Sequence, residues 1–60
     1  MTIYLVREES KKNTLGDIII YHEKPIYDKG KWRGIVLGRA PSYMYPEIKN
    51  GECVEFASFI

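Results

Sequence analysis

The run Pro25-Ile26-Tyr27-Asp28-Lys29-Gly30-Lys31-Trp32-Arg33-Gly34-Ile35-Val36-Leu37-Gly38 decides how the chain is read. It predicts a hairpin: a short strand through Ile26 and Tyr27, a turn over Asp28-Lys29-Gly30-Lys31, and a returning strand from Trp32 to Leu37. Gly30 supplies the positive φ that a tight turn after Asp28 needs. In the returning strand Trp32, Gly34 and Val36 share one face, while Lys31, Arg33, Ile35 and Leu37 share the other. A glycine inside a strand marks a bulge, a coil of the sheet, or close approach by a large neighbour, here Trp32 or Tyr27. Alternation beside Val36 places Trp32 in the core, although its basic neighbours argue for the surface.

On the N-terminal side, Asp17 to Glu23 is the clearest strand, since Ile18-Ile19-Ile20-Tyr21 favours β structure strongly. Lys24-Pro25 then interrupts, because proline cannot donate to a sheet ladder. Thr2 to Arg7 carries apolar residues on both faces, Ile3 and Leu5 against Tyr4 and Val6. That pattern predicts a strand central in a sheet or covered on both sides. Glu8 to Gly16 is polar and ends in glycine, the composition of a solvated loop with room for one helical turn from Ser10.

On the C-terminal side, Gly38 to Pro46 reads as a loop, stopped by prolines and rich in aromatics at Tyr43, Met44 and Tyr45. Asn50-Gly51 between Glu47-Ile48-Lys49 and Glu52-Cys53-Val54-Glu55-Phe56 is the strongest short-range hairpin signal and predicts a type I′ turn. The last strand alternates Val54, Phe56, Ser58 and Ile60 with Cys53, Glu55, Ala57 and Phe59. Its apolar end, Phe59-Ile60, predicts a docked C-terminus. The expected fold is therefore mainly β: a small antiparallel sheet of about five short strands curled towards a barrel. An α+β domain with one short helix, in Glu8–Asn13 or Ser42–Tyr45, is the alternative.

The totals narrow the class. Sixty residues make a single small domain, 1–60, with no repeat or linker. A chain of this size buries only about 60% of its unfolded surface and is marginal alone. One cysteine excludes an intrachain disulfide, and Cys53 with His22 cannot complete a structural zinc site. An efficient core or association must therefore make up the deficit. Nine basic and eight acidic residues leave a formal charge of +1, without the basic excess of strong nonspecific nucleic-acid binders. No signal peptide or membrane-length apolar run is visible, so the expected location is cytoplasmic, with no membrane partner.

No catalytic motif emerges. Gly34-Ile35-Val36-Leu37-Gly38-Arg39 lacks the lysine and serine or threonine of a phosphate loop. The carboxylates Glu8, Glu9, Glu23, Glu52 and Glu55 show no spacing that pairs two in one pocket, and a core this small has little room to enclose the ~300 Å³ of a typical site. The chain is not expected to be an enzyme or to hold a cofactor or metal.

Aromatic and arginine enrichment instead predicts a protein-interaction module, an accessory factor that binds and modulates, for instance inhibits, a larger protein. The predicted contact residues are Trp32, Arg33, Arg39, Tyr43, Met44 and Tyr45. Two alternatives stand beside it. One is a single-strand nucleic-acid binder using Lys29, Lys31, Trp32 and Arg33 with Tyr21 or Tyr27, which the charge balance disfavours. The other is a self-associating structural protein, a homo-oligomer joined through its C-terminal edge, Cys53–Ile60.

Overall fold

The structure, a computed structural model, describes residues 2–10 and 14–57. Among these residues six strands follow in chain order: β1 (Thr2–Arg7), β2 (Ile18–Tyr21), β3 (Ile26–Asp28), β4 (Lys31–Arg33), β5 (Val36–Ala40) and β6 (Cys53–Ala57). All pairings are antiparallel, and no helix occurs among the described residues. The fold is mainly β, as predicted. Four strands form one sheet in the order β5-β2-β1-β6, and β3-β4 form a separate ribbon.

β1 is central, as its two apolar faces require: Leu5 stands opposite Ile20 of β2 and Val54 of β6. Alternation along the strands sorts the core into two layers. Leu5, Ile18 and Ile48 cluster on one face, with Ile3, Ile20, Ala40, Tyr45 and Val54 packed around them. Val6, Ile19 and Tyr21 cluster on the other, with Tyr4, Trp32 and Cys53. Segment 41–52 covers the first face through Tyr45 and Ile48, and the β3-β4 ribbon covers the second through Trp32. Among the described residues the sheet is open, with β5 and β6 as its two edges, so the expected curl does not close into a barrel.

The quoted run is a hairpin followed by a break. Lys29 and Gly30 both have positive φ, 51° and 78°, the signature of a type I′ turn. The predicted strand from Trp32 to Leu37 is interrupted at Gly34-Ile35. A Cβ on Gly34 would come within 3.0 Å of the Tyr21 ring, so glycine lets the chain cross tightly over β2; the large neighbour is Tyr21, not Trp32 or Tyr27. Beyond the break the chain joins β2 as β5. Gly38 to Ala40, expected in a loop, are therefore in the sheet. Ile20 pairs with Gly38 and Tyr21 with Val36, leaving Leu37 as the extra residue of a bulge.

The Asn50-Gly51 hairpin does not form. Residues 47–49 are not a strand, and β6 pairs with β1. Segment 41–52 is instead three successive turns, closed by Met44 N–H to Pro41 O, Ile48 N–H to Tyr45 O and Glu52 N–H to Lys49 O, each 3.0 Å. Gly51 has φ 78° while Asn50 stays out of the left-handed region, which is a type II pattern. Asn50 is used through its side chain: Oδ1 accepts from Gly16 N–H at 3.0 Å and Nδ2 donates to Thr14 O at 3.1 Å. The Ser42–Tyr45 helix of the alternative fold is also absent. The expected helical turn around residues 8–13 and the docked end at Phe59-Ile60 lie partly or wholly outside the described residues.

What joins the loops to the sheet is Arg7, which is fully buried at 0% exposure. Its guanidinium donates to five carbonyls: Nε to Ile48 O (2.7 Å), Nη1 to Gly16 O (2.6 Å) and Ser42 O (2.8 Å), and Nη2 to Met44 O (2.9 Å) and Tyr45 O (2.7 Å). That uses every N–H an arginine side chain owns. Backbone bonds reinforce the junction, Arg7 N–H to Glu52 O and Gly51 N–H to Arg7 O.

Two substitutions test this frame by urea or thermal unfolding. Arg7→Met removes all five donors, and each carbonyl left unpaired costs about 1–3 kcal/mol. The total stability expected of so short a chain is only about 3–9 kcal/mol, so Arg7→Met should abolish cooperative folding. Arg7→Lys keeps the charge but has three donors without the planar fork, and should fold only weakly. Conversely, Lys29→Asn suits the type I′ turn better and should raise Tm by roughly 2–8 °C, the equivalent of about 0.5–1 kcal/mol. A stable Arg7→Met protein would show that the turns are held by something else.

Candidate functional site

The predicted contact residues divide between two regions. Trp32 is half-buried on the second core layer, where its Nε1 donates to Gly51 O at 3.0 Å and its ring meets Tyr27 edge-on, centroids 4.9 Å apart. Tyr45 also faces inward: it packs on the first layer, meets Phe56 edge-on at 6.2 Å, and holds a φ of 53°. Both rings hold covering elements against the sheet. Arg33 is exposed on the ribbon with Asp28 at 3.9 Å, a separation at which an exposed pair contributes little.

Arg39, Tyr43 and Met44 lie together on one stretch of chain, edge strand β5 and the turn after it. Arg39 donates to Glu8 at 2.7 Å. Tyr43 is 77% exposed, and Met44 is also exposed. Val36, whose alternation with Trp32 argues for the core, is instead 51% exposed on this stretch, as are its neighbours Leu37 (56%) and, just before β5, Ile35 (68%). Their signal was present in the sequence. A run of three aliphatics after a glycine fills both faces of a strand, and neither core layer takes up any of the three. Segment 35–44 is therefore an uncovered apolar margin, with the outer backbone groups of β5 unpaired by the sheet.

A second feature is an open cleft of about 490 Å³ between the ribbon and the end of β1, lined among others by Tyr21, Tyr27, Trp32, Glu8, Glu9 and Lys31. It is larger than the sequence led one to expect, because it lies between layers and not within a core. Its charges oppose one another, Glu8 is tied to Arg39, and the N–H groups of Arg7 in its wall are committed to carbonyls. The Tyr21 hydroxyl is pushed up from its ordinary pKa, by burial first and then by the Glu8 carboxylate.

Cys53 is half-buried against the second layer. Burial pushes its thiol pKa up, and Lys24 draws it partly back. His22 is exposed past the end of β2, and β1 separates β2 from β6, so His22 and Cys53 are roughly 10 Å or more apart. They form no nucleophile–base pair. Among the described residues no three of His, Cys, Asp and Glu gather as metal ligands, and no helix is long and apolar enough to cross a membrane. Compared with protein-family models, curated proteins and solved structures, the chain matches none.

The two raised pKa values carry a sign that can be checked. A group whose pKa is higher in the folded than in the unfolded chain favours folding below the unfolded value, and that contribution is lost as pH rises through the folded value. Reference values of about 8.5 for cysteine and 10 for tyrosine place the loss above about pH 9, where Tm should fall. At about pH 8, Cys53 should react with iodoacetamide several-fold more slowly than N-acetylcysteine, and at an equal rate in urea. Faster alkylation in the folded state would mean that the thiol is activated.

Proposed function

We propose that the chain is a small protein-interaction module that binds and modulates a larger protein through segment 35–44. The observation that carries this reading is the exposure of Ile35, Val36 and Leu37 along an open sheet edge. An uncovered edge offers backbone donors and acceptors to an added strand, while alternate side chains supply specificity. Tyr43, Met44 and Arg39 are residue types enriched in interface cores, and they continue the same margin. Trp32 and Tyr45 leave the contact set, since their rings support the ribbon and the turns.

Nucleic-acid binding is the weaker reading. Tyr27 and Trp32 could stack on bases, but Glu8 and Glu9 line the same cleft and would repel a phosphate backbone.

Capture from a native-host lysate on the immobilised chain, with each variant first checked for its β spectrum, tests the proposal. Wild type and Ile26→Lys, a change at an exposed ribbon residue, should retain the same protein; Leu37→Lys combined with Tyr43→Ala should lose it. Equal retention by the double variant, or nothing retained by wild type beyond a scrambled bait, would refute the assignment.

A further inference from the structure

We infer that the cleft between the β3-β4 ribbon and the end of β1 is a binding site for a methylated ammonium group, held against Tyr27 and Trp32 and faced by the carboxylates of Glu8 and Glu9. It shares no lining residue with segment 35–44, so it stands or falls apart from the β5 reading. At about 490 Å³ it has the volume of a small-molecule site.

Rings and acids in one cleft select a ligand by its charge. The two carboxylates that would repel a phosphate attract a cation, and a cation is also drawn to an aromatic face within about 6 Å of the ring centroid. The Tyr27 and Trp32 centroids are 4.9 Å apart, so one cation can lie in that range of both. Their planes are inclined by 62°, and in an edge-to-face contact the ring that gives its edge keeps both of its own faces. Tyr21 lines the same cleft, its hydroxyl donating to Trp32 O at 3.4 Å.

The field in the cleft has the right sign. After burial, Glu8 is the strongest influence raising the Tyr21 pKa, and it outweighs the lowering by Arg39, its own ion-pair partner. Glu9 pairs with no cation among the described residues. Its Oε1 would stand 2.9 Å from a Cβ built on Gly51, the residue whose carbonyl accepts from the Trp32 indole. Of the cations in the wall, Arg7 is spent on five carbonyls, and Lys31 is exposed on a flexible stem. An inorganic cation lacks a ligand set, since no three of His, Cys, Asp and Glu gather among the described residues. A primary ammonium is strongly hydrated, whereas methyl groups shed water readily and fill apolar space between rings.

Trp32 is the only tryptophan, so its indole N–H resonance reports on this cleft. The full chain is titrated at constant ionic strength with choline, with N-acetylated trimethyllysine amide, and with the neutral alcohol that carries a tert-butyl group in place of choline's trimethylammonium head. Both cations should shift the Trp32 signal saturably, and the alcohol should bind about tenfold more weakly than choline, the scale of one or two cation–π contacts. The tighter of the two cations identifies the source of the group, a free molecule or a protein side chain. Glu9→Gln and Tyr27→Leu, both at exposed positions, should each weaken choline binding several-fold, and Lys31→Thr, which removes a competing cation, should tighten it. If Tyr27→Leu loses the ribbon, Glu9→Gln and the alcohol still decide. Equal affinity for choline and the alcohol, an indole signal unmoved by both cations, or unchanged binding by Glu9→Gln would overturn the assignment.

Discussion

The guanidinium of Arg7 sits in the interior, paired with no carboxylate among the described residues, its charge met by the five carbonyl dipoles of Gly16, Ser42, Met44, Tyr45 and Ile48. Burying a charge costs several kcal/mol unless its hydrogen bonds are complete. Here they are, and that completeness ties three parts of the chain together: the end of β1, the loop before β2, and the three turns that cover the first core layer. The carbonyls can converge only if each turn has its observed shape. Tyr45 illustrates the cost. A bulky residue with φ 53° is disfavoured by roughly 1–2 kcal/mol. Its carbonyl accepts from both Arg7 and Ile48 N–H, and its ring fills the core, which together offset that strain.

This junction also sets what remains outside. With Ser42, Met44 and Tyr45 pointing their carbonyls inward, the Tyr43 side chain is turned to solvent. With the ribbon folded over the second layer by Gly34 and held by Trp32, the chain re-enters the sheet only as edge strand β5. The margin of β5 and the exposed turn follow from the same constraint. A buried arginine that organises loops and an apolar edge left exposed are two sides of one architecture.

Much of the sheet was legible because β1 and β2 follow local rules: a β-branched run in β2 flanked by Gly16 and Pro25, and apolar groups on both faces of β1. The failures have physical reasons. Asn50-Gly51 has ideal hairpin chemistry, but Asn50 serves through its side chain and the strand after it is claimed by β1. The turn that is type I′ has lysine where asparagine would be better, a preference that tertiary cover overrides. The role of Arg7 was not legible, because its partners are backbone carbonyls remote in sequence, and carbonyls leave no trace in residue type. Of the residues that composition singled out, Arg39, Tyr43 and Met44 are exposed. Composition could not show that Tyr45 faces inward, since its direction depends on one left-handed backbone angle.

The central claim, that one saturated guanidinium holds the turns to the sheet, is tested most directly by proton exchange at the arginine side chains, followed by nitrogen-edited NMR. Arg33 and Arg39, both exposed, serve as internal references. The account predicts that Arg7 shows separate, slowly exchanging Nε and Nη proton signals that persist at neutral pH while those of Arg33 and Arg39 are averaged by solvent. Rapid exchange at Arg7, equal to that of the exposed arginines, would contradict it.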